Sequence, residues 1–345
     1  IKIFSYISKL CEIHDFIKEN TAEYQLKIDN LRYNKLFIYE YSEMIMSDAG
    51  GAAGSEIVWN ECAFESARTF DNIFFQDKAM LLRKIEYFVN NVSWYNKHGI
   101  PHTLGIALSG SPGTGKTSII KALSNKLQRH IIIIPLSKIK TTAQLCKIFF
   151  ETRYNNKNKE ESINFNDKII VFEDIDCMSD IVLSRYNKVS EPPDNNSGNN
   201  SDNNSGNVGS MVNCLSSLKD CDPKSTDTLI KLLDTHMNCD DKLTLSFILN
   251  LIDGIRETPG RILIITSNFY DKIDEALVRP GRIDITLQMT KVSRKILNDI
   301  YIQFFNKPLP DKILSQFAEY KYTPAEIVNY CINSEDSDEF ISQII

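Results

Sequence analysis

Eight consecutive residues, Gly110-Ser111-Pro112-Gly113-Thr114-Gly115-Lys116-Thr117, match the phosphate-cradling pattern G-x-x-x-x-G-K-[ST]. Glycines let a backbone wrap closely round phosphate, so that N–H groups and the dipole of the following helix face the anion. Lys116 is expected on the β- and γ-phosphates and Thr117 on magnesium, with Ser118 following in the same turn. A second group is the apolar run Ile169-Ile170-Val171-Phe172, which ends in Glu173 and Asp174. Acids delivered at the carboxyl tip of a buried strand, beside such a loop, stand where a magnesium ion and an attacking water need them. Asp176 reads instead as a helix cap or a solvent-facing residue. A third strand ends at Thr266-Ser267-Asn268, and Arg279-Pro280-Gly281-Arg282 follows. Asn268 is placed to orient the hydrolytic water. The Pro-Gly turn presents Arg279 and Arg282 at a surface; taken alone, two such arginines would form ordinary surface salt bridges. Together the three groups predict hydrolysis of a nucleoside triphosphate with magnesium.

These residues need a frame that brings strand tips together. From Thr69 onward apolar strands alternate with amphipathic helices. The spacing predicts helices over 76–95, 116–127, 143–152 and 243–252, and strands over 104–109, 130–136, 168–172, 261–266 and 283–289. That alternation means a parallel sheet covered on both faces. The expected fold is therefore α/β, with a parallel five-stranded sheet flanked by helices, over residues 65–290. Residues 291–345 read as a small helical lid. Residues 1–64 read as a small mixed region, with helical spacing from Ile7 to Ile17, a strand from Leu36 to Tyr41 and a small-residue loop from Ser47 to Ser55. Asp194 to Gly209 repeats D-N-N-S-G-N with no apolar residue before Val208, so an insertion over about 185–225 is expected to be disordered.

Composition narrows the class. Thirty-nine Lys and Arg against 45 Asp and Glu give a net charge of -6, which speaks against a nucleic-acid motor, since phosphate neutralisation needs concentrated cations. The eight cysteines form no C-x-x-C pair, and read as reduced thiols of a cytoplasmic protein. His236 and Cys239, with Cys221 upstream, have ligand-like spacing but lack the second close pair that a zinc site needs. No apolar run approaches the roughly 18 residues of a membrane span. The chain opens at Ile1 without an initiator Met, which leaves an upstream signal or anchor open.

The three groups in this order resemble an AAA ATPase, the last block being similar to that class's second region of homology. Trp94-Tyr95 with Gly99-Ile100-Pro101, the acid order Glu173-Asp174 with Asp176, Leu243-Thr244, Leu249-Asn250, Asp253-Gly254 and Thr323-Pro324-Ala325 resemble the Bcs-type branch, the family of the mitochondrial translocase of the folded Rieske protein. The resemblance covers about residues 69 to 331. It implies a homo-oligomeric ring, hexameric or heptameric, with ATP between neighbouring subunits and Arg279 and Arg282 reaching the next subunit's γ-phosphate. It also implies Glu173 on magnesium, Asp174 polarising the water, adenine contacts beginning at Asp71 to Ile73 with Gly99 and Ile100 nearby, and a protein substrate that is remodelled or moved. Three features depart from the family. Ser111 stands where Pro is usual, a change the loop tolerates because its backbone makes the contacts. The segment Ser137 to Thr142 carries Lys138, Ile139 and Lys140 but no aromatic, which argues against peptide threading. The weakly matched amino-terminal region does not carry over membrane residence or a Rieske substrate. Two rival readings remain on the same fold: a nucleotide-gated assembly module with negligible turnover, and a nucleic-acid loader.

Overall fold

The computed structural model describes residues 9–32, 35–47, 54–155, 162–175, 243–269 and 273–344. The Asn-rich repeat, Asp176, His236, Cys177, Cys214, Cys221, Cys239 and the tip of the Ser47–Ser55 loop lie outside the described residues. A helix α1 (Leu10–Arg32) leads into β1 (Phe37–Ser47) and β2 (Gly54–Ala63). Then come α2 (Lys78–Asn90), α3 (Val92–His98), β3 (Thr103–Ser109), α4 (Lys116–Leu127), β4 (His130–Ile133), α5 (Thr142–Phe149) and β5 (Lys168–Phe172). After the insertion follow a helix here called α6 (Leu245–Asp253), β6 (Arg261–Ser267) and β7 (Ile285–Gln288).

The strands form one seven-stranded sheet in the order β2-β1-β4-β5-β6-β3-β7. The five-strand expectation is thus two short. The hairpin β1/β2 joins the sheet, because β1 pairs in parallel with β4, Ile38 beside Ile131 and Glu40 beside Ile133. Its period of two explains why. Phe37, Tyr39 and Tyr41 alternate to one face and are buried. There Tyr39 stacks on Tyr154 at 4.8 Å between ring centroids, and Trp59 of β2 meets the same ring edge-on at 4.7 Å. Burying three such aromatics gains more than a separate hairpin could.

Every residue of β5 and β6 is buried, as a parallel sheet covered on both faces requires. Ile170 and Phe172 face the core under α5 and α6; Ile169 and Val171 face the one under α2 and α4. The helix expected over 76–95 is broken at Asn91, whose backbone and side-chain amides both close on the Tyr87 carbonyl. The strand expected over 130–136 stops at Ile133, since Pro135 has no N–H for a ladder and Leu136–Lys138 curls into a 3-10 turn. Beyond β7 four helices, α7 (Arg294–Phe305), α8 (Asp311–Gln316), α9 (Pro324–Asn333) and α10 (Ser337–Ile344), enclose their own apolar core.

Strand β3 carries the site at one end and is welded to the arginine turn along its length. Gly105 N–H donates to Asp284 Oδ2 at 2.9 Å, and Asp284 N–H donates to the Gly105 carbonyl at 2.9 Å. The approach is so close that a Cβ on residue 105 would lie 1.8 Å from the Arg282 carbonyl oxygen. Because the clash is with backbone, no rotamer relieves it. Gly105→Ala is therefore expected to cost about 3 kcal/mol and to lower Tm by roughly 6 °C or more in thermal unfolding. An unchanged Tm would show that the turn can move off the strand.

Candidate functional site

The loop from Gly110 to Gly115 follows β3 directly, and α4 begins at Lys116 as the sequence predicts. Gly110 adopts φ of 144° and its missing side chain leaves room for the Met289 carbonyl, which a Cβ would approach to 2.2 Å. Gly115 caps α4 with φ of 103° and has no side chain of its own to bond the first-turn amides. Those N–H groups and the positive helix end are what an anion would meet. Thr114 is buried and closes the loop on itself, its hydroxyl donating to the Ser111 carbonyl at 2.7 Å. Ser111, Pro112, Gly113 and Thr117 are exposed, while Lys116 and Ser118 are partly covered.

Lys116 Nζ donates to the Gly110 carbonyl at 2.5 Å and to Asn268 Oδ1 at 2.8 Å. The tips of β3 and β6 thus meet at one cation, and the sequence-predicted Lys116 and Asn268 come together. At the neighbouring tip of β5, Glu173 is half-buried and Asp174 is exposed. Asp174 holds φ of 44°, a left-handed conformation that a non-glycine residue adopts at a cost, and its N–H is tied to Thr266 Oγ1 at 3.0 Å. Burial pushes the Glu173 carboxyl up, and the charges of Asp174 and Glu40 push it further. Glu40 arrives on β1, paired with Lys138 at 3.3 Å. Sequence reasoning missed both Glu40 and Thr266; Thr266 had a signal in its place on the strand tip, two residues before Asn268.

Beside the loop lies a cavity of about 300 Å³ between the sheet and the lid. Asn72, Ile73, Phe74 and Phe75 form one wall, Gly113 to Gly115 the floor, and Ala325 and Val328 of α9 the other wall. Asn72 and Ile73 are where the adenine contacts are expected to begin. Ile100 is not at this cavity. It lines another of about 500 Å³ with Tyr87, Tyr95 and Gly281, at the opposite end of β3. The lid's share was legible only as the resemblance in Thr323-Pro324-Ala325.

Among the described residues lining the nucleotide-sized cavity, neither Arg279 nor Arg282 appears. Both instead close on Asp253 at the end of α6. Arg279 Nη2 and Arg282 Nε each lie 2.8 Å from the same oxygen, Oδ2. Burial pushes the Asp253 carboxyl up, but the Arg279 hydrogen bond and the two guanidinium charges outweigh it and hold it below the usual range.

The donor set fits a triphosphate with magnesium: three positive-φ glycines in the loop, of which Gly110 has no room for a Cβ, a lysine, a first-turn hydroxyl and a carboxylate. Thr117 and Glu173 are the side chains that would hold the metal. No described helix is long and apolar enough to cross a membrane.

Comparison with known proteins agrees with this geometry. The family described as "ATPase family associated with various cellular activities (AAA)" matches residues 106–209 and 226–291. The "Probable mitochondrial chaperone BCS1-B" of Dictyostelium discoideum is 28% identical over 273 residues, covering 77% of this chain and 51% of that protein. The "AAA-ATPase ASD, mitochondrial" of Arabidopsis thaliana is 29% identical over 285 residues, 78% of this chain and 47% of its own length. A further A. thaliana protein, "AAA-ATPase At4g25835", is 28% identical over 345 residues, 96% of this chain and 58% of its own. The chain spans about half the length of the curated relatives it matches.

The raised Glu173 carboxyl has a readable consequence. An acid pushed up by neighbouring negative charge protonates at higher pH, so activity that needs it ionised fades early as pH falls. Glu40→Gln removes one of those charges. The acidic limb of the kcat/KM profile is expected to move to lower pH; a limb that stays in place or moves upward would dissociate β1 from the site.

Proposed function

Because the chain belongs to the AAA ATPase family and is similar to its BCS1-type members, we propose that it hydrolyses ATP to ADP and phosphate in a homo-oligomeric ring, and uses the turnover to remodel or translocate a protein. The observation that carries the reading is the junction of Lys116 with Asn268 at 2.8 Å, because it joins the P-loop to a strand-tip amide beside the two acids. Lys116 exchanges the Gly110 carbonyl for β- and γ-phosphate oxygens when the triphosphate seats on the loop amides. Asn268 and Asp174 orient the attacking water in line with the γ-phosphorus, and Asp174, the exposed acid, polarises it. Glu173 is assigned to magnesium, where a cation offsets the negative neighbours that push its carboxyl up. Magnesium bound there would neutralise charge on the β- and γ-oxygens. Catalysis is by positioning and charge stabilisation, with no covalent step on the protein.

Arg279 and Arg282 are proposed to act on a neighbour's site. Their pairing with Asp253 at the end of α6, and not with Lys116, Asn268 or the two acids, supports this, and a finger of this kind is worth roughly 10³ to 10⁵ in rate. The ring is hexameric or heptameric, with the latter favoured by the BCS1-type likeness. The net charge of -6 supports a protein substrate over nucleic acid. Cysteine usage supports a cytoplasmic address, although two relatives are named mitochondrial; fractionation of the full-length protein decides between them.

Lys116→Ala is expected to abolish both ATP binding and turnover in purified protein; turnover that survives would remove the P-loop assignment. Asp174→Asn should retain ATP binding and lose about 10² to 10⁴ in hydrolysis. For the trans reading, Arg279→Ala subunits mixed with Asp174→Asn subunits should regain activity at sites built from one of each. Loss in strict proportion to either mutant at every mixing ratio would refute it.

A further inference from the structure

The two finger arginines are not equivalent in this fold. Arg282 is sunk, with its side chain 9% exposed, and its Nη1 donates to the Ala276 carbonyl at 2.5 Å. Arg279, across the Pro280-Gly281 turn, is 58% exposed and is held through Nη2 alone. One oxygen of Asp253 therefore carries both cations, one inside the protein and one at its surface.

Asp253 cannot follow Arg279 outward. It is the last residue of α6, and the preceding carbonyl, that of Ile252, is gripped from below by Arg261 Nη1 at 2.7 Å. Arg261 itself is buried at the start of β6. At Arg282 Nε the contact is a charge pair without hydrogen-bond alignment, and it is hard to give up because breaking it would leave a buried cation without its counter-charge. The Arg279 contact is solvent-screened and worth little, as exposed pairs are. A triphosphate, with several charges on its terminal oxygens, outcompetes a single shared carboxylate oxygen for that guanidinium.

We infer that Asp253 is a positioning residue that divides the pair: it fixes Arg282 as the post of the turn and clasps Arg279 in cis until a neighbouring subunit's triphosphate takes it. The inference rests on the trans reading above and narrows it to Arg279, the exposed member of the pair. Arg279 is then the finger that transfers between subunits, and Arg282 stays home. An unassembled subunit keeps its finger paired, so the clasp sets how readily subunits engage and leaves the assembled rate alone.

The test is ATP hydrolysis against protein concentration at saturating ATP and magnesium, with the oligomer fraction read by mass photometry in the same samples. Asp253→Asn is expected to reach half-maximal specific activity, and half-assembly, at about 1.5- to 5-fold lower protein concentration, with an unchanged plateau. In an Arg279→Ala background, where hydrolysis is lost, the same substitution should leave the half-assembly concentration read by mass photometry unchanged. Because Asp253→Asn leaves buried Arg282 without its counter-charge, the comparison is repeated in an Arg282→Met background, where no buried cation is stranded. A plateau that falls tenfold in folded protein, a midpoint that does not move in either background, or a shift that persists without Arg279 overturns the clasp. Failure of the trans reading looks different: Arg279→Ala alone would then keep the wild-type plateau.

Discussion

The contact on which the rest of the site depends is the meeting of two backbones at Gly105. A residue without a side chain lets the turn carrying Arg279 and Arg282 lie against β3, and Asp284 locks it there by bonding the amides of Gly105 and Gly281. The same strand runs on for four residues to Ser109 and delivers the phosphate loop. A buried strand is stiff, since each residue is held by ladder bonds on both sides, here to β6 and β7. The loop that would receive a phosphate and the arginines that would reach another subunit's phosphate are thus fixed to one rigid rod. Their spacing is set by the fold and not by flexible loops.

Around the rod, charge is arranged so that each group has a partner it can exchange. Lys116 is satisfied by a loop carbonyl and by Asn268, so it is pre-positioned without being stranded. Asp174 holds an unfavourable backbone conformation, secured by one hydroxyl from β6. Strain of that sort persists only where surroundings over-determine it, which fits a residue fixed for chemistry. Glu173 sits among negative neighbours that a bound cation would relieve. Each of these features is costly or merely neutral in the free chain and would become favourable with a triphosphate present, as in a site built for its ligand.

Legibility followed the distance over which each feature is determined. The phosphate loop and α4 are local, and glycine spacing plus the helical pattern placed α4 to the residue. The buried strands β5 and β6 were equally readable, because continuous apolar runs ending in polar tips have few other structures. The joining of β1 to β4 was not readable, since Phe37 and His130 are 93 positions apart and what ties the hairpin in, the β4 ladder and the packing of Tyr39 and Trp59 on Tyr154, is all long-range. Asp253 stands out in the sequence only through the Asp253-Gly254 resemblance; nothing in a helix-terminal acid says that two arginines some 26 and 29 positions later will share its oxygen. Ile100 failed for the same reason, its neighbours in sequence sitting at the far end of β3 from the cavity.

The lid meets the phosphate loop through few contacts. Its described polar tie to the phosphate loop is one backbone bond, Ala325 N–H to the Gly113 carbonyl at 3.3 Å. Such a bond is worth about 0.5 to 1.5 kcal/mol. Thr323, although a Cβ on residue 113 would come within 3.3 Å of its hydroxyl, uses that oxygen for the capping box with Glu326 and α9's first turn. The lid has its own core, centred on Val292, Leu297 and Ile327, so it keeps its shape when it moves. What lies between lid and loop is an apolar-walled cavity that a purine would fill, touching Ile73 on one side and Val328 on the other. A ligand that contacts both walls would add burial on the order of 25 cal/mol per Å² to that bond and to the packing of Phe74 against the lid's core. A ligand seated there would therefore help to hold lid and loop together, and β3 connects the floor of that cavity to the arginine turn.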